Sequence, residues 1–394
     1  MFHRTQTLPP LTAEERSHSD RLRARIEHEI EANHGWIGFN RFMELALYEP
    51  GLGYYSAGAH KLGAGGDFTT APEISPLFSQ CVANQCAEVL RALGGGDVLE
   101  LGAGSGIMAV DMLLHLEQLN ALPAHYYILE ISGDLIQRQQ MLLKAHAAHL
   151  IDRVQWLTSL PNDLDGIIVA NEVIDALPVK RFVVDHDGVK ELGVGMNENE
   201  LVWQSRRASF ELNSELERIV NELGRPFSHG YTSEVNLLLP SWMKSLEQAL
   251  HRGAMLFIDY GLPRTQFYSE DRINGTLNCF FKHHQHDNPF TNVGVQDITT
   301  WVDFTAVAEA GTQAGLELSG FSTQSHFLSG TGIDRLMQSA MVDASDTQRW
   351  QLSQQAQQLM LPDGMGETFK VMAFSKNCDM ELSGFGFRDF RHLL

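Results

Sequence analysis

From Asp97 onward the chain alternates short apolar runs with stretches in which apolar residues recur every three or four positions. The first kind reads as strands and the second as helices, because side chains alternate faces along a strand and return to one face about every 3.6 residues along a helix. The pattern predicts strands over residues 98–101, 126–131, 154–157 and 166–170, with helices over 105–119 and 135–150 between them. Alternation of this kind implies an α/β fold with a parallel, doubly wound sheet of the Rossmann-like kind. Such sheets hold ligands outside the carboxyl ends of their strands.

The flanks depart from this rhythm. Residues 14–32 form a charged helical stretch, and Ile37, Phe39, Phe42, Leu45 and Ala46 fall at helical spacing before a turn at Pro50 and Gly51. Residues 63–75 are irregular, rich in Gly, Thr and Pro, and carry Asp67 and Glu73, so they read as a lid or binding segment. A helix over 76–93 then runs into three glycines, Gly94 to Gly96. Beyond the fourth strand, residues 181–205 alternate in strand fashion around Asp187-Gly188 and Asn197–Asn199, which predicts an inserted hairpin or meander. Helices over 211–223 and 237–250 follow, residues 254–261 restore the sheet, and a helix over 304–315 precedes a last strand over 367–376. The reading divides the chain into an N-terminal extension and lid (1–95), the first half of the core (96–180), an insertion (181–252) and the second half of the core (253–394).

The run LELGAGSGI places Gly102, Gly104 and Gly106 at every second position between the first strand and its helix. Glycine allows positive φ and close approach of the backbone to a bound molecule, and the amides opening the helix suit a carboxylate or phosphate. A dinucleotide turn has the spacing G-x-G-x-x-G, which argues against a nucleotide-dependent oxidoreductase. The spacing here, with Glu100 two residues ahead of the first glycine, points to S-adenosylmethionine: its carboxylate can take the helix amides, and its ammonium and sulfonium favour a nearby acid. Glu130 closes the second strand 24 positions after Gly106, near the roughly 20-residue offset of an acid that accepts ribose hydroxyls.

The fourth strand runs into VANEVIDALPV, which gathers Asn171, Glu172 and Asp175 where the reactive end of such a cofactor lies. Two carboxylates there suit an arginine acceptor, since a guanidinium cannot be deprotonated in advance and is oriented by a carboxylate fork. The alternative is structural: Asn171 caps a following helix, with both acids near its positive end. Asp259, in the strand after the insertion, either caps backbone at the floor of the site or satisfies its own turn. Tyr54 and Tyr55 read as packing or as a cover for the cofactor, and His283, His284 and His286, in a polar loop, lack the spacing of a metal site.

Composition narrows the partners. The 394 residues are 43% hydrophobic and 20% charged, enough to build a substantial core. With 29 basic and 49 acidic residues the net charge is −20, which disfavours nucleic acid and favours a cationic protein substrate. Cys81, Cys86, Cys279 and Cys378 show no paired metal-ligand spacing and read as reduced. The first residues lack a signal-peptide core, and no apolar run is long enough to span a membrane, so the expected location is cytoplasmic. Nothing in the sequence fixes an oligomeric state.

Taken in order, LYEPGLGYYS, GGDFTTAPEIS, LELGAGSGI, YYILEIS, VANEVIDALPV, TSEVN, FIDYG, GTLNCFFKHH and GVQDITTWVDFTA resemble the MidA-like family of S-adenosylmethionine-dependent methyltransferases, which includes mitochondrial arginine methyltransferases acting in complex I assembly. The resemblance implies a class I methyltransferase core and symmetric dimethylation of a protein arginine. By motif it assigns Glu100, Gly102, Gly104 and Glu130 to the cofactor and sets Asp67, Asn171, Glu172 and Asp175 at positions lining the site. Within that set Asp67 and Asn171 are expected on the cofactor and Glu172 and Asp175 as catalytic candidates, and beside it Glu73 and Asp259 are expected on the acceptor side. The chain departs from the family pattern at Asn278, where an arginine is expected. Another acceptor, and a cofactor-binding assembly factor that does not catalyse, remain open on the same residues.

Overall fold

The computed structural model describes residues 8–57 and 69–394. The chain divides into two compact units. The larger comprises Thr69–Asp175, Leu239–Phe267 and Trp301–Leu394; the other comprises Met1–Phe68, Ala176–Leu238 and Tyr268–Thr300.

The larger unit is built on a sheet whose main strands are β1 (Asp97–Leu101), β2 (Tyr126–Leu129), β3 (Val154–Leu157), β4 (Leu164–Asn171), β5 (Leu250–Leu262), β6 (Glu317–Thr323) and β7 (Phe369–Lys376). Their order is β3-β2-β1-β4-β5-β7-β6, and the two-residue strand Val302–Asp303 joins the end of β5. β1 to β5 pair in parallel, whereas β7 runs antiparallel to both β5 and β6. The order reverses between β1 and β4, so their carboxyl ends flank the switch point where ligands of such sheets sit. β4 and β5 carry near-continuous apolar runs because both faces of the sheet are covered. Val98, Ile128, Val169, Leu256 and Val371 lie in one buried core with Phe78, Val82 and Leu113 from flanking helices.

Local signals set the helix ends. The helix Pro76–Leu93 starts with proline behind Ser75, whose hydroxyl accepts from the Leu77 amide, and stops at left-handed Gly94. The helix after β1 covers Ile107–Gln118, two residues later than the periodicity predicts. Gly102, Gly104 and Gly106 have φ of 63°, 54° and 87°, so the chain cannot wind into a right-handed helix before it has passed all three. The next helix spans Gly133–His146 and tightens into a 3-10 turn over Ala148–Arg153, where a single longer helix is predicted. Three helices, Gln324–Gly330, Ile333–Met341 and Asp346–Met360, lie between the predicted helix over 304–315 and the last strand, where the pattern predicts none; the last of them is rich in glutamine and buries only Ala356 and Leu359.

In the other unit, Lys180–Asp185, Gly188–Asn197 and Glu200–Arg207 form the antiparallel meander that the alternation predicts. Trp36–Gly38 and Thr232–Val235 extend it to five strands. Its core packs Ile37, Phe39, Phe42 and Val194 together. The histidine segment read as a polar loop is instead a hairpin: Asn278–Phe281 pairs with His284–His286, and the turn between them puts Lys282 and His283 at φ of 46° and 63°. Tyr55 stacks on Tyr48 and donates to both carboxylate oxygens of Asp297, at 3.0 and 3.1 Å, and Tyr54 is buried. Among the described residues no three or more His, Cys, Asp or Glu side chains are grouped to hold a metal, and no helix is long and apolar enough to cross a membrane.

Candidate active site

The glycine turn leaves β1 and is closed by two backbone bonds, Gly102 N–H to the Leu129 carbonyl at 3.1 Å and Gly106 N–H to the Ala103 carbonyl at 2.8 Å. A side chain at Gly106 is excluded twice, by its φ of 87° and because a Cβ there would lie 3.0 Å from Gln139 Cγ and 3.3 Å from Gln139 Cα. Ser105, between the last two glycines, donates its hydroxyl to the Glu73 carboxylate. Glu73, expected on the acceptor side, is thus tied to the turn. Asp67 lies outside the described residues.

Glu130 stands at the end of β2 and is buried. One carboxylate oxygen accepts from the Ser132 amide at 2.9 Å and the other from Gln139 Nε2 at 3.4 Å. Burial raises its pKa. Glu100 is more enclosed still, 1% exposed. Its Oε2 accepts the Tyr126 hydroxyl at 2.7 Å, and loss of water pushes its pKa up to about 7 although the tyrosine bond opposes the rise.

No helix follows β4, which removes the reading of Asn171 as a helix cap. The chain turns instead, with Glu172 in the left-handed region at φ 54° and its amide bonded to the Ile258 carbonyl at 2.9 Å. A non-glycine residue held there stores of order 1 kcal/mol, and such residues gather at functional sites. Asp259 pins the turn from the neighbouring strand. Its Oδ2 accepts from the amides of Ile174 and Asp175 at 3.0 and 3.1 Å, and its Oδ1 accepts from the Tyr260 amide at 2.9 Å. Both readings of this residue are present, since Oδ2 caps the amides of the neighbouring turn and Oδ1 satisfies the amide that follows it, so its carboxylate, expected on the acceptor side, is occupied by backbone. Burial raises the Asp259 pKa well above normal, and the charges of Asp175 and Glu172 raise it further. The Tyr260 hydroxyl donates to Asp175 Oδ2 at 2.6 Å, and the Asn171 amide donates to Glu172 Oε1 at 3.2 Å.

Register brings these pieces side by side. Leu101 pairs with both Leu129 and Ala170, and Asn171 pairs with Ile258, so the glycine turn, Glu130, the 171–175 turn and Asp259 all sit at the carboxyl ends of β2, β1, β4 and β5. The residues suit S-adenosylmethionine. Left-handed glycines bare the turn, Glu130 presents a buried acceptor, and the buried Asn171 Oδ1 accepts no hydrogen bond from the described residues. Sequence reading missed Ser105, Tyr126, Gln139, Trp156 and Tyr260. Only Ser105 and Tyr260 carried a signal, as neighbours of residues already singled out.

Comparison with known proteins agrees. Residues 81–322 match the model of a family described as S-adenosyl-L-methionine-dependent methyltransferase. A Burkholderia thailandensis protein crystallised with S-adenosyl-homocysteine superposes with a TM-score of 0.94 at 39% identity, covering 98% of this chain and 100% of that one. Protein arginine methyltransferase NDUFAF7, mitochondrial, is 29% identical in Danio rerio and 26% in Homo sapiens, each match covering 86% of this chain and 83% and 80% of the relative. These relatives are named mitochondrial, which overturns the cytoplasmic location expected from the first residues of the chain. The chain belongs to the MidA-like family of S-adenosylmethionine-dependent methyltransferases.

Proposed function

We propose that this methyltransferase acts on an arginine side chain of a protein substrate, with Glu172 and Asp175 receiving the guanidinium. The observation that carries the reading is the strained 171–175 turn at the end of β4 beside the glycine turn, whose backbone is held by Asp259, with the Asp175 carboxylate bonded by Tyr260 and the Glu172 carboxylate by Asn171. The arginine methyltransferase relatives support the same acceptor. A carboxylate pair orients a guanidinium through parallel N–H bonds and draws its positive charge toward the paired nitrogens, leaving the third nitrogen as the richest in electrons. The bound cofactor supplies an electrophilic methyl on a sulfonium, whose carbon–sulfur bond breaks as the carbon–nitrogen bond forms and whose thioether leaves neutral. Glu172 or Asp175 takes the proton that the methylated nitrogen must shed. Alignment is the main contribution of the protein, and proximity of this kind supplies up to about 7–11 kcal/mol of barrier.

The test is incubation with labelled S-adenosylmethionine and the proteome of cells lacking the gene, followed by mass spectrometry of methylated arginine. Label on arginine that is lost with Glu172→Gln, while cofactor affinity is kept, supports the reading. Cofactor binding without transfer to any acceptor would sink it, and a tightly held, unmethylated partner would identify an assembly factor instead.

A further inference from the structure

We infer that Gln139 is a positioning residue for the cofactor, the part that locks the glycine turn to Glu130. It projects from the helix Gly133–His146, is fully buried, and bridges three elements of the site. Its Nε2 donates to the Gly104 carbonyl at 2.9 Å and to Glu130 Oε2 at 3.4 Å, and its Oε1 accepts from the Trp156 indole at 2.8 Å. An indole nitrogen can only donate, and a backbone carbonyl and a carboxylate only accept, so this amide fits in one orientation. A flip would set its oxygen against two acceptors and its NH2 against a donor. Trp156 therefore fixes which end of Gln139 faces the site. The same side chain occupies the space beside the Gly106 Cα that a Cβ would need. One residue thus touches the second and third glycines of the turn and the acid at the end of β2.

The consequence is a preset acceptor. One Glu130 oxygen accepts from the Ser132 amide and the other from Gln139, and a carboxylate has about four lone-pair sites in all. With both oxygens anchored the carboxylate plane cannot rotate, so it meets a pair of vicinal hydroxyls without paying to be ordered. The inference rests on reading Glu130 as the ribose acid.

The experiment titrates S-adenosyl-homocysteine calorimetrically into the full chain and its variants. Gln139→Leu, similar in volume and without polar atoms, should weaken binding roughly tenfold or more. Its effect should shrink markedly in a Glu130→Ala background, which a merely structural role would not produce. Gln139→Glu tests the same contact without altering shape. Its carboxylate would face Glu130 and the Gly104 carbonyl, so its affinity deficit should be largest at pH 8 and narrow as the pH falls toward 5. Wild-type affinity in both Gln139 variants overturns the proposal, as does an equal loss on either background. If Glu130→Ala itself leaves affinity unchanged, the ribose reading fails and the proposal fails with it; if Glu130→Ala weakens binding and the Gln139 variants do not, only the proposal fails.

Discussion

Glu100 offers a quantitative check on the buried chemistry beneath the glycine turn. Its pKa rises from 4.5 to about 7 because burial removes water from its charged form. A group whose pKa is raised on folding contributes stability that is full below its unfolded pKa and is lost as the pH climbs through the folded one. From about pH 4.5 to about pH 7 the wild-type protein should therefore lose about 3 kcal/mol through this residue, a tenfold change in proton affinity corresponding to about 1.4 kcal/mol. Glu100→Gln keeps the shape and an oxygen for the Tyr126 hydroxyl, which lies 2.7 Å from Oε2, and it has no charge to desolvate. Against wild type the variant should be equal or slightly weaker at pH 5 and about 3 kcal/mol stronger at pH 8. For a cooperative unit of this size that is a swing of about 6–12 °C in the difference between their melting temperatures. The assay is thermal unfolding of both proteins from pH 5 to pH 8.5. Melting temperatures that run parallel across the range would refute the reasoning, because they would show that Glu100 keeps an ordinary carboxylate pKa in the fold.

Other expectations concern the two turns. Tyr260→Phe deletes the 2.6 Å bond to Asp175 but keeps a ring packed edge-on against Phe369 and Trp301, so turnover on a deletion-strain proteome should fall about tenfold while calorimetric affinity for S-adenosyl-homocysteine stays within about twofold. Gly106→Ala forces a Cβ to 3.0 Å from Gln139 Cγ at a φ of 87°, and should cost about 1–2 kcal/mol in urea unfolding and weaken cofactor binding with it. Glu172→Gly relieves the residue at φ 54°, so the melting temperature should hold or rise while methyl transfer is lost; a fall in melting temperature with activity kept would show that the acid serves the fold.

Much of the site was legible because its signals are local. Alternating glycines announce a left-handed turn wherever they occur, and an apolar run that closes on an acid announces a strand end. So Gly102, Gly104 and Glu130 stand out as candidates by spacing, and the 171–175 segment by the polar residues that end an apolar strand. The same locality explains the misplaced helix start at residue 105, since periodicity registers apolar faces and ignores the φ that each glycine adopts.

The sequence by itself determined the alternation that makes the parallel sheet, the glycine turn, and the chemistry of the acids that end its strands, all of them consequences of neighbours along the chain. Tertiary structure alone decided what those groups touch. Ser105 meets Glu73 across 32 positions, Gln139 meets Gly104 across 35, and Asp259 meets the Ile174 and Asp175 amides across 85 and 84. It also decided that Glu73 serves the turn, that Asp259 binds backbone, and that Glu100 is sealed from water. The physical reason is that a hydrogen bond or a desolvated charge depends on atoms brought within about 3 Å by folding, and sequence separation carries no record of that distance.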